Sequence, residues 1–383
     1  MKASYPSITP LRATSSLSDS AAWWRRIDPI LVSCALVCAG LGLLMIYSST
    51  RNLGDGGNYT GIVLRQAAAL VVAIVAMVAV SLFDYRKLQS LAPVLYLATV
   101  GVLFLVLTPL GSSRKGAQAW FGFGAFQLQP AELAKLSVII AVSAYCARHS
   151  SRLTNKFVAV AVGLAGIPMG LILLQPDLGT MLVFCAIVFA ILVAAGASGR
   201  SLAALVGIVV FAAIAVVQLG VLKQYQLDRL GAFLDPASNT QQAAYNLNQS
   251  KIAIGSGELL GRGLFLGSQT NLRFVPEQHT DFVFTVMGEE LGLAGSLTLI
   301  SLLGVVVWRI WKVARAANDS FGAFICIGVL AMLTFQIFEN VGMTMGIMPI
   351  TGIPLPFVSY GGSSLVATFV AIGIVQSVRL RTR

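Results

Sequence analysis

The sequence predicts an all-α polytopic membrane protein of about ten transmembrane helices. Both termini are expected on the cytoplasmic side, with one long extracytoplasmic loop between the seventh and eighth spans. Three observations predict this. Hydrophobic residues make up 57% of the 383-residue chain and charged ones only 11%, against about 25% charge in soluble domains, and the mean hydropathy is +0.83. The apolar runs are about 20 residues long, the length of helix that crosses a hydrocarbon core of about 30 Å. The lysines and arginines then alternate from one side to the other as these runs are counted off.

The runs are 29–49, 61–82, 91–110, 131–147, 157–174, 178–198, 202–222, 282–308, 320–345 and 362–378. Residues 1–20 are rich in Ser, Thr and Pro and read as a flexible cytoplasmic tail; residues 21–383 read as a single ten-helix domain. The first run is too long for a signal-peptide core and is expected to be retained. With the N-terminus cytoplasmic, 16 of the 26 basic residues fall in the tail and loops of that side, among them Arg86, Lys87, Arg148, Arg309, Lys312 and Arg379. The short loops opposite hold Arg51, Arg114 and Lys115. The net charge of +11 is therefore a topology signal, with attraction to anionic headgroups of the lipid bilayer, and nucleic acid is not expected as a partner. Cys34, Cys38, Cys146, Cys185 and Cys326 all fall in or beside the runs, without zinc spacing and without an expected disulfide.

Three segments of the outer side stand out. Between spans three and four, Trp120, Phe121, Phe123 and Phe126 form an aromatic stretch at headgroup depth, either an interfacial belt or, at Trp120, a substrate contact. Glu132 and Lys135 follow, three residues apart at the head of span four. An ion pair that merely neutralises both is one reading; a charge retained in a membrane helix for function is the other. Between spans five and six, Gln175-Pro176-Asp177-Leu178-Gly179-Thr180 breaks the chain at the bilayer edge, and Asp177 is placed to cap the next helix.

The third segment is the long loop 223–281. Loops of that length are usually functional or disordered, and this one lacks low complexity. Tyr245, Leu247, Lys251, Ile252 and Ile254 predict a short amphipathic helix along the surface. Glycines at 255, 257, 261, 263 and 267 predict sharp turns. The loop ends in Val275-Pro276-Glu277-Gln278-His279-Thr280-Asp281, where Asp281 is expected to cap span eight. Glu277 and His279 beside it exceed what a cap requires and suggest the rim of an active site. Glu339 in span nine is either a further site residue or a bundle contact.

These segments, with Glu289-Glu290-Leu291-Gly292 and the run from Pro349 to Ser364, PITGIPLPFVSYGGSS, resemble the shape, elongation, division and sporulation (SEDS) family. The motifs come in the family's order and cover nearly the whole chain after the tail. The stretches FENVGMTMGIMPITGIPLPFVSYGGSS and SKIAIGSGELLGRG resemble the elongation branch (RodA) more than the division branch (FtsW). The resemblance implies a ten-span peptidoglycan glycosyltransferase. Such enzymes polymerise lipid II on the outer face of the bacterial cytoplasmic membrane, release undecaprenyl diphosphate, and work with a class B penicillin-binding protein. It implies Asp281 as the catalytic residue, with Glu132, Lys135 and Asp177 lining the functional cavity. The sequence departs from the family at Ala131, usually Ser, and at Ala119, Arg in many members; the first removes a helix cap and the second a guanidinium.

In that chemistry a sugar 4-hydroxyl attacks the anomeric carbon of a lipid-linked chain. Asp281 is the expected general base, with Glu277 and His279 orienting. Positive charge must steady the leaving diphosphate; Lys135 and one of Arg262 or Arg273 are the candidates, with or without a divalent cation (Mg2+ or Mn2+), for which Asp177 and Glu132 supply hard oxygen ligands. Two alternatives use the same residues differently: a lipid II flippase, with the charges as a path, and a non-catalytic scaffold for a penicillin-binding protein. Internal repeats, expected of many transporters, are not evident, and a scaffold has no need of a lysine below the membrane surface.

Overall fold

The computed structural model describes residues 26–51, 59–114, 117–123, 126–149, 155–218, 220, 224–234 and 242–382. The tail 1–20, and Lys2, Arg12, Arg25, Lys115, Arg152 and Arg383 of the charge pattern, lie outside the described residues. Ten apolar helices carry the fold: α1 (Pro29–Thr50), α2 (Tyr59–Leu82), α3 (Tyr85–Val106), α4 (Pro130–His149), α5 (Asn155–Leu174), α6 (Leu178–Ala194), α7 (Gly199–Gln218), α11 (Val283–Ala316), α12 (Ser320–Met345) and α13 (Gly362–Leu380). Among the described residues, nine are long and apolar enough to cross a membrane. The remaining one, α6, has 17 residues and reaches about 26 Å at 1.5 Å per residue.

Aspartates start several of these helices. Asp28 accepts from Leu31 N (3.1 Å), Asp84 from Arg86 N (3.0 Å) and Asp319 from Gly322 N (2.8 Å). Each satisfies one of the orphan amides of a first turn. Asp84 explains one shift from expectation. The third helix begins at Tyr85 rather than 91, because the polar stretch Arg86, Lys87, Gln89, Ser90 belongs to its first turns. Span eight also runs past 308 to Ala316, carrying Arg309 to a 2.6 Å ion pair with Asp28. Helices α4, α12 and α13 form the buried centre. By contrast α7 buries no residue and turns its apolar side chains outward, as a lipid-facing helix does. All five cysteines are free thiols.

The loop after α3 holds a feature the sequence reading did not contain, a three-stranded antiparallel sheet in the order β1 (Ser112–Arg114), β2 (Ala117–Phe123), β3 (Phe126–Leu128). Ser112 pairs with Trp120 and Phe121 with Leu128. Period-2 alternation was the available signal: Ala119 is buried, while neighbouring Gln118 sends its amide to Thr108 O (2.7 Å).

The long loop contains α8 (Gln224–Leu234), α9 (Gln242–Ser256) and α10 (Ser268–Leu272). The expected amphipathic helix is α9: Ala244, Leu247 and Ala253 are buried, Tyr245 and Ile252 exposed. The glycine turns after it dock on α11. A Cβ on Gly261 (φ +83°) would stand 2.1 Å from Glu290 O, and one on Gly292, where α11 breaks (φ +65°), 2.3 Å from Gly261 N. Only glycines allow backbones this close. Glu289 locks the same region, accepting from Gln269 N (2.7 Å), Thr270 N (2.8 Å) and Thr270 Oγ1 (2.7 Å).

Candidate active site

The motifs that lie far apart in sequence meet at one end of the bundle, on the segment between α12 and α13. Helix α12 ends at Gly346 (φ +76°), and the chain stays non-helical until α13. Ser363 joins this segment to the start of α4: its Oγ donates to Gln127 O (2.7 Å) and accepts from Gln129 N (3.1 Å). Gln66 of α2 donates to Ser359 O (3.3 Å) and accepts from Gly361 N (3.1 Å). Tyr360 N donates to His279 O (2.9 Å), and the two rings lie 5.5 Å apart. A Cβ on Gly179 would stand 2.9 Å from Ile353 Cγ1 and 3.1 Å from Thr351 O, so α6 begins directly against the Thr351–Ile353 strip.

Asp281 does not cap α11, contrary to the sequence expectation. The N-cap is Phe282, with no side-chain cap bond. The reason lies in the preceding turn. Glu277 takes a left-handed conformation (φ +55°), and its carbonyl accepts from Thr280 N (3.2 Å) and Phe282 N (3.4 Å). Its carboxylate meanwhile accepts from Thr280 Oγ1 (3.2 Å). That turn carries Asp281 to the Gly352 side, where its Oδ2 and Arg229 Nη1 would each be 3.4 Å from a Cβ on Gly352 (φ +76°). Asn340 of α12 donates to Asp281 O (2.9 Å) and to Ile353 O (2.8 Å).

Arg229, on α8, is the basic residue of the long loop that reaches this point, and sequence reasoning missed it. It donates to Thr351 O (3.3 Å) and lies over the Tyr225 ring, 5.7 Å from its centroid. The available signal was the i,i+4 spacing of Tyr225 and Arg229. Helix α8 is pinned over the Gln175–Thr180 turn, since Tyr225 Oη (3.0 Å) and Gln226 Nε2 (3.1 Å) both donate to Pro176 O. Burial pushes the Tyr225 phenol up from its ordinary range; nearby Arg229 opposes the shift and Asp177 adds to it. Arg262 and Arg273, the basic residues expected here, belong instead to the glycine turn and α10. Arg262 donates to Ser256 O (3.1 Å), and Arg273 forms the left-handed C-cap of α10.

The remaining candidates sit around this cluster. Asp177 caps α6, bonding Thr180 N (3.0 Å) and Thr180 Oγ1 (2.7 Å). Glu132 and Lys135 form a 2.8 Å ion pair, both almost fully buried. The two carboxylates expected to ligate a divalent cation are thus each engaged by protein partners. Among the described residues no three His, Cys, Asp or Glu side chains come together to hold a metal ion. Trp120 is half-buried on β2, and Ala119 and Ala131, the positions that depart from the family pattern, are both buried. Glu339 is fully buried, with the Thr351 hydroxyl as the polar group beside its carboxylate. A cleft of about 460 Å³ opens at the opposite end of the bundle, lined by Arg86, Gln89, Asn318 and Asp319 among others, and none of the motif residues borders it.

A carboxylate and a guanidinium on different elements, the one tied to the Thr351–Ile353 strip through its main chain and the other through its side chain, can hold a hydroxyl and an anionic group close together. Comparison with known proteins places the whole chain, not the site, among relatives. A family model described as cell cycle protein, covering FtsW, RodA and SpoVE, matches residues 29–383. The chain is 35% identical over 358 residues to the peptidoglycan glycosyltransferase MrdB of Escherichia coli K12, covering 93% of this chain and 95% of that one. It is 37% identical over 368 residues to a probable peptidoglycan glycosyltransferase FtsW of Alkalilimnicola ehrlichii, covering 94% and 91%. Among solved structures it is similar to a chain of a peptidoglycan synthase complex that coordinates polymerization and crosslinking (TM-score 0.75, 33% identity, 92% and 97% covered). It is also similar to the rod shape determining protein RodA of Thermus thermophilus (TM-score 0.69, 31% identity, 93% and 97% covered).

Proposed function

The chain belongs to the FtsW, RodA and SpoVE family of cell cycle proteins, and from that membership we propose that it is a peptidoglycan glycosyltransferase of the bacterial cytoplasmic membrane. It is a multi-pass membrane enzyme that polymerises lipid II into glycan strands during cell elongation and releases undecaprenyl diphosphate. The observation that carries the reading is the placement of Asp281 Oδ2 and Arg229 Nη1 beside the same residue, Gly352, where the sequence motifs converge. The motif end faces outward and both termini lie in the cytoplasm.

In the reaction, the acceptor's sugar 4-hydroxyl attacks the anomeric carbon of the growing chain's lipid-linked sugar. Asp281 takes the hydroxyl proton as general base. The C–O bond to the diphosphate breaks, and undecaprenyl diphosphate leaves as a stable anion needing little acid catalysis. Arg229, and Lys135 of α4, supply the positive charge that steadies it. Single displacement turns the α-linked donor into a β-linked product. His279 and Glu277 orient the Asp281 turn through the Tyr360 and Thr280 contacts. A class B penicillin-binding protein is the partner that crosslinks the strand; the likeness to one chain of a peptidoglycan synthase complex supports it.

The test is polymerisation of fluorescent lipid II by the purified protein with its class B partner, wild type against Asp281→Asn. Penicillin blocks crosslinking and moenomycin silences contaminating polymerases of the other class. Glycan ladders from wild type and none from the folded variant are expected. Ladders from both would remove Asp281 from the mechanism; binding of lipid II with no glycan from either would favour the flippase.

A further inference from the structure

Asp281 lies outside α11, whose first turn is closed by Thr285 N on Phe282 O (3.0 Å). Its place is therefore set from elsewhere. Both hydrogens of one amide nitrogen are directed at main-chain carbonyls: Asn340 Nδ2 donates to Asp281 O (2.9 Å) and to Ile353 O (2.8 Å). Asn340 is fully buried in α12, a helix of the bundle's centre. Ile353 follows Gly352, the residue Asp281 and Arg229 share, and Thr351 O is Arg229's acceptor.

We propose that Asn340 is the positioning residue of this active site, a single side chain that sets the spacing between the segment bearing the Asp281 carboxylate and the strip on which Arg229 is anchored. The proposal rests on the glycosyltransferase reading above. An amide is the group that fits, because it alone among side chains of that size carries two donors on one atom. The surrounding patch is not built for stability. Asn340 Oδ1 and Gln336 Oε1 are buried without a hydrogen-bond partner, and beside them the carboxylate of Glu339 is buried with only the Thr351 hydroxyl near it. Unpaired buried acceptors of this kind cost free energy, and such local costs are tolerated chiefly where function requires the arrangement. Holding a reacting pair to within a fraction of an ångström is such a requirement, since a 1 Å misplacement costs about 100-fold in rate.

The experiment uses the full chain with its class B partner, fluorescent lipid II, and three variants: Asn340→Asp, Asn340→Ser and Asp281→Glu. Asn340→Asp keeps the shape, removes both donors and turns a carboxylate toward two carbonyls; Asn340→Ser removes them without adding charge and stands in if the first does not fold. The expected result, read on Asn340→Ser, is a fall in kcat of about 30- to 100-fold, with KM for lipid II within about threefold and the protein still folded at the assay temperature; Asn340→Asp should in addition melt lower, because its carboxylate is buried against two carbonyls. In the Asp281→Glu background, where the carboxylate is already displaced, Asn340→Ser should add little, because residues acting through one another are not additive. Wild-type kcat in Asn340→Ser overturns the proposal. So does a loss that tracks melting temperature and multiplies fully with Asp281→Glu. These outcomes are separable from failure of the enzyme reading, which would appear as no glycan from wild type or full activity in Asp281→Asn.

Discussion

Arg229 and Asp281 both come up to one glycine: a Cβ on Gly352 would stand 3.4 Å from Nη1 of the one and 3.4 Å from Oδ2 of the other. A Cβ there would make ordinary contacts with both groups, so the constraint on residue 352 is its backbone. Gly352→Ala is therefore expected to slow glycan synthesis without removing a charged group. The backbone there has φ +76°, and holding a non-glycine residue in that region costs on the order of 1–3 kcal/mol. A polymerisation rate equal to wild type in a folded Gly352→Ala protein would show that nothing of the substrate passes between the two groups.

Replacing Arg229 separates charge from shape. Its guanidinium reaches Thr351 O and the Gly352 side together, a use of several donors in one plane that an ammonium does not reproduce. Arg229→Ala should reduce kcat by about 100- to 1,000-fold, the scale for removing a preorganised charge-stabilising donor. Arg229→Lys should fall between that and wild type. The check is the rate of glycan ladder growth at saturating lipid II; equal rates for Ala and wild type would move the leaving-group role to another residue.

The buried pair Glu132–Lys135, at 2.8 Å, sets structure against chemistry. Neutralising one member strands the other charge in the bundle, at a cost of about 3–5 kcal/mol. Glu132→Gln and Lys135→Met should each melt lower than wild type, and the double variant should recover most of the loss. If the pair serves only to neutralise itself, the double variant also recovers activity. The expected outcome, if Lys135 helps steady the leaving diphosphate as proposed, is a double variant that folds and makes no glycan.

Most of the scaffold could be read in advance because a bilayer leaves few choices: an apolar run of the right length must be a helix. Ser320–Met345 occupies the span expected for it. The third helix was misplaced because its first turns are polar and only the Asp84 cap marks them as helical. The small sheet was hidden by strands of 3 and 7 residues, too short for alternation to outweigh their aromatic character. Asp177 was legible as a cap because its environment is local. Asp281 carries the same local signal, yet a left-handed Glu277 redirects the chain, and nothing in a linear pattern announces that. Arg229 lies in no motif and takes its meaning from Thr351, 122 residues away. Candidate site residues that cluster in sequence could be singled out in advance; Arg229, which only the fold brings beside Gly352, could not.

Gly179 offers a test in which stability and activity should part. It is the second residue of α6, where alanine improves helix propensity by up to about 1 kcal/mol over glycine. Its position is not open, however. A Cβ would sit 2.9 Å from Ile353 Cγ1, 3.1 Å from Thr351 O and 3.2 Å from Thr351 Cβ, so the strip must yield by some tenths of an ångström. Ile353 and Thr351 are the residues whose carbonyls Asn340 and Arg229 hold. Gly179→Ala should therefore melt within a few degrees of wild type, the propensity gain offsetting the crowding, yet polymerise lipid II about tenfold more slowly, since misplacement of reacting groups is felt far more in rate than in stability. Gly179→Val, with two further carbons to place, should lose both, at an overpacking cost of about 1–3 kcal/mol. Melting curves and glycan rates measured on the same preparations decide it. An alanine variant as fast as wild type would mean the Thr351–Ile353 strip can shift without disturbing the reacting groups.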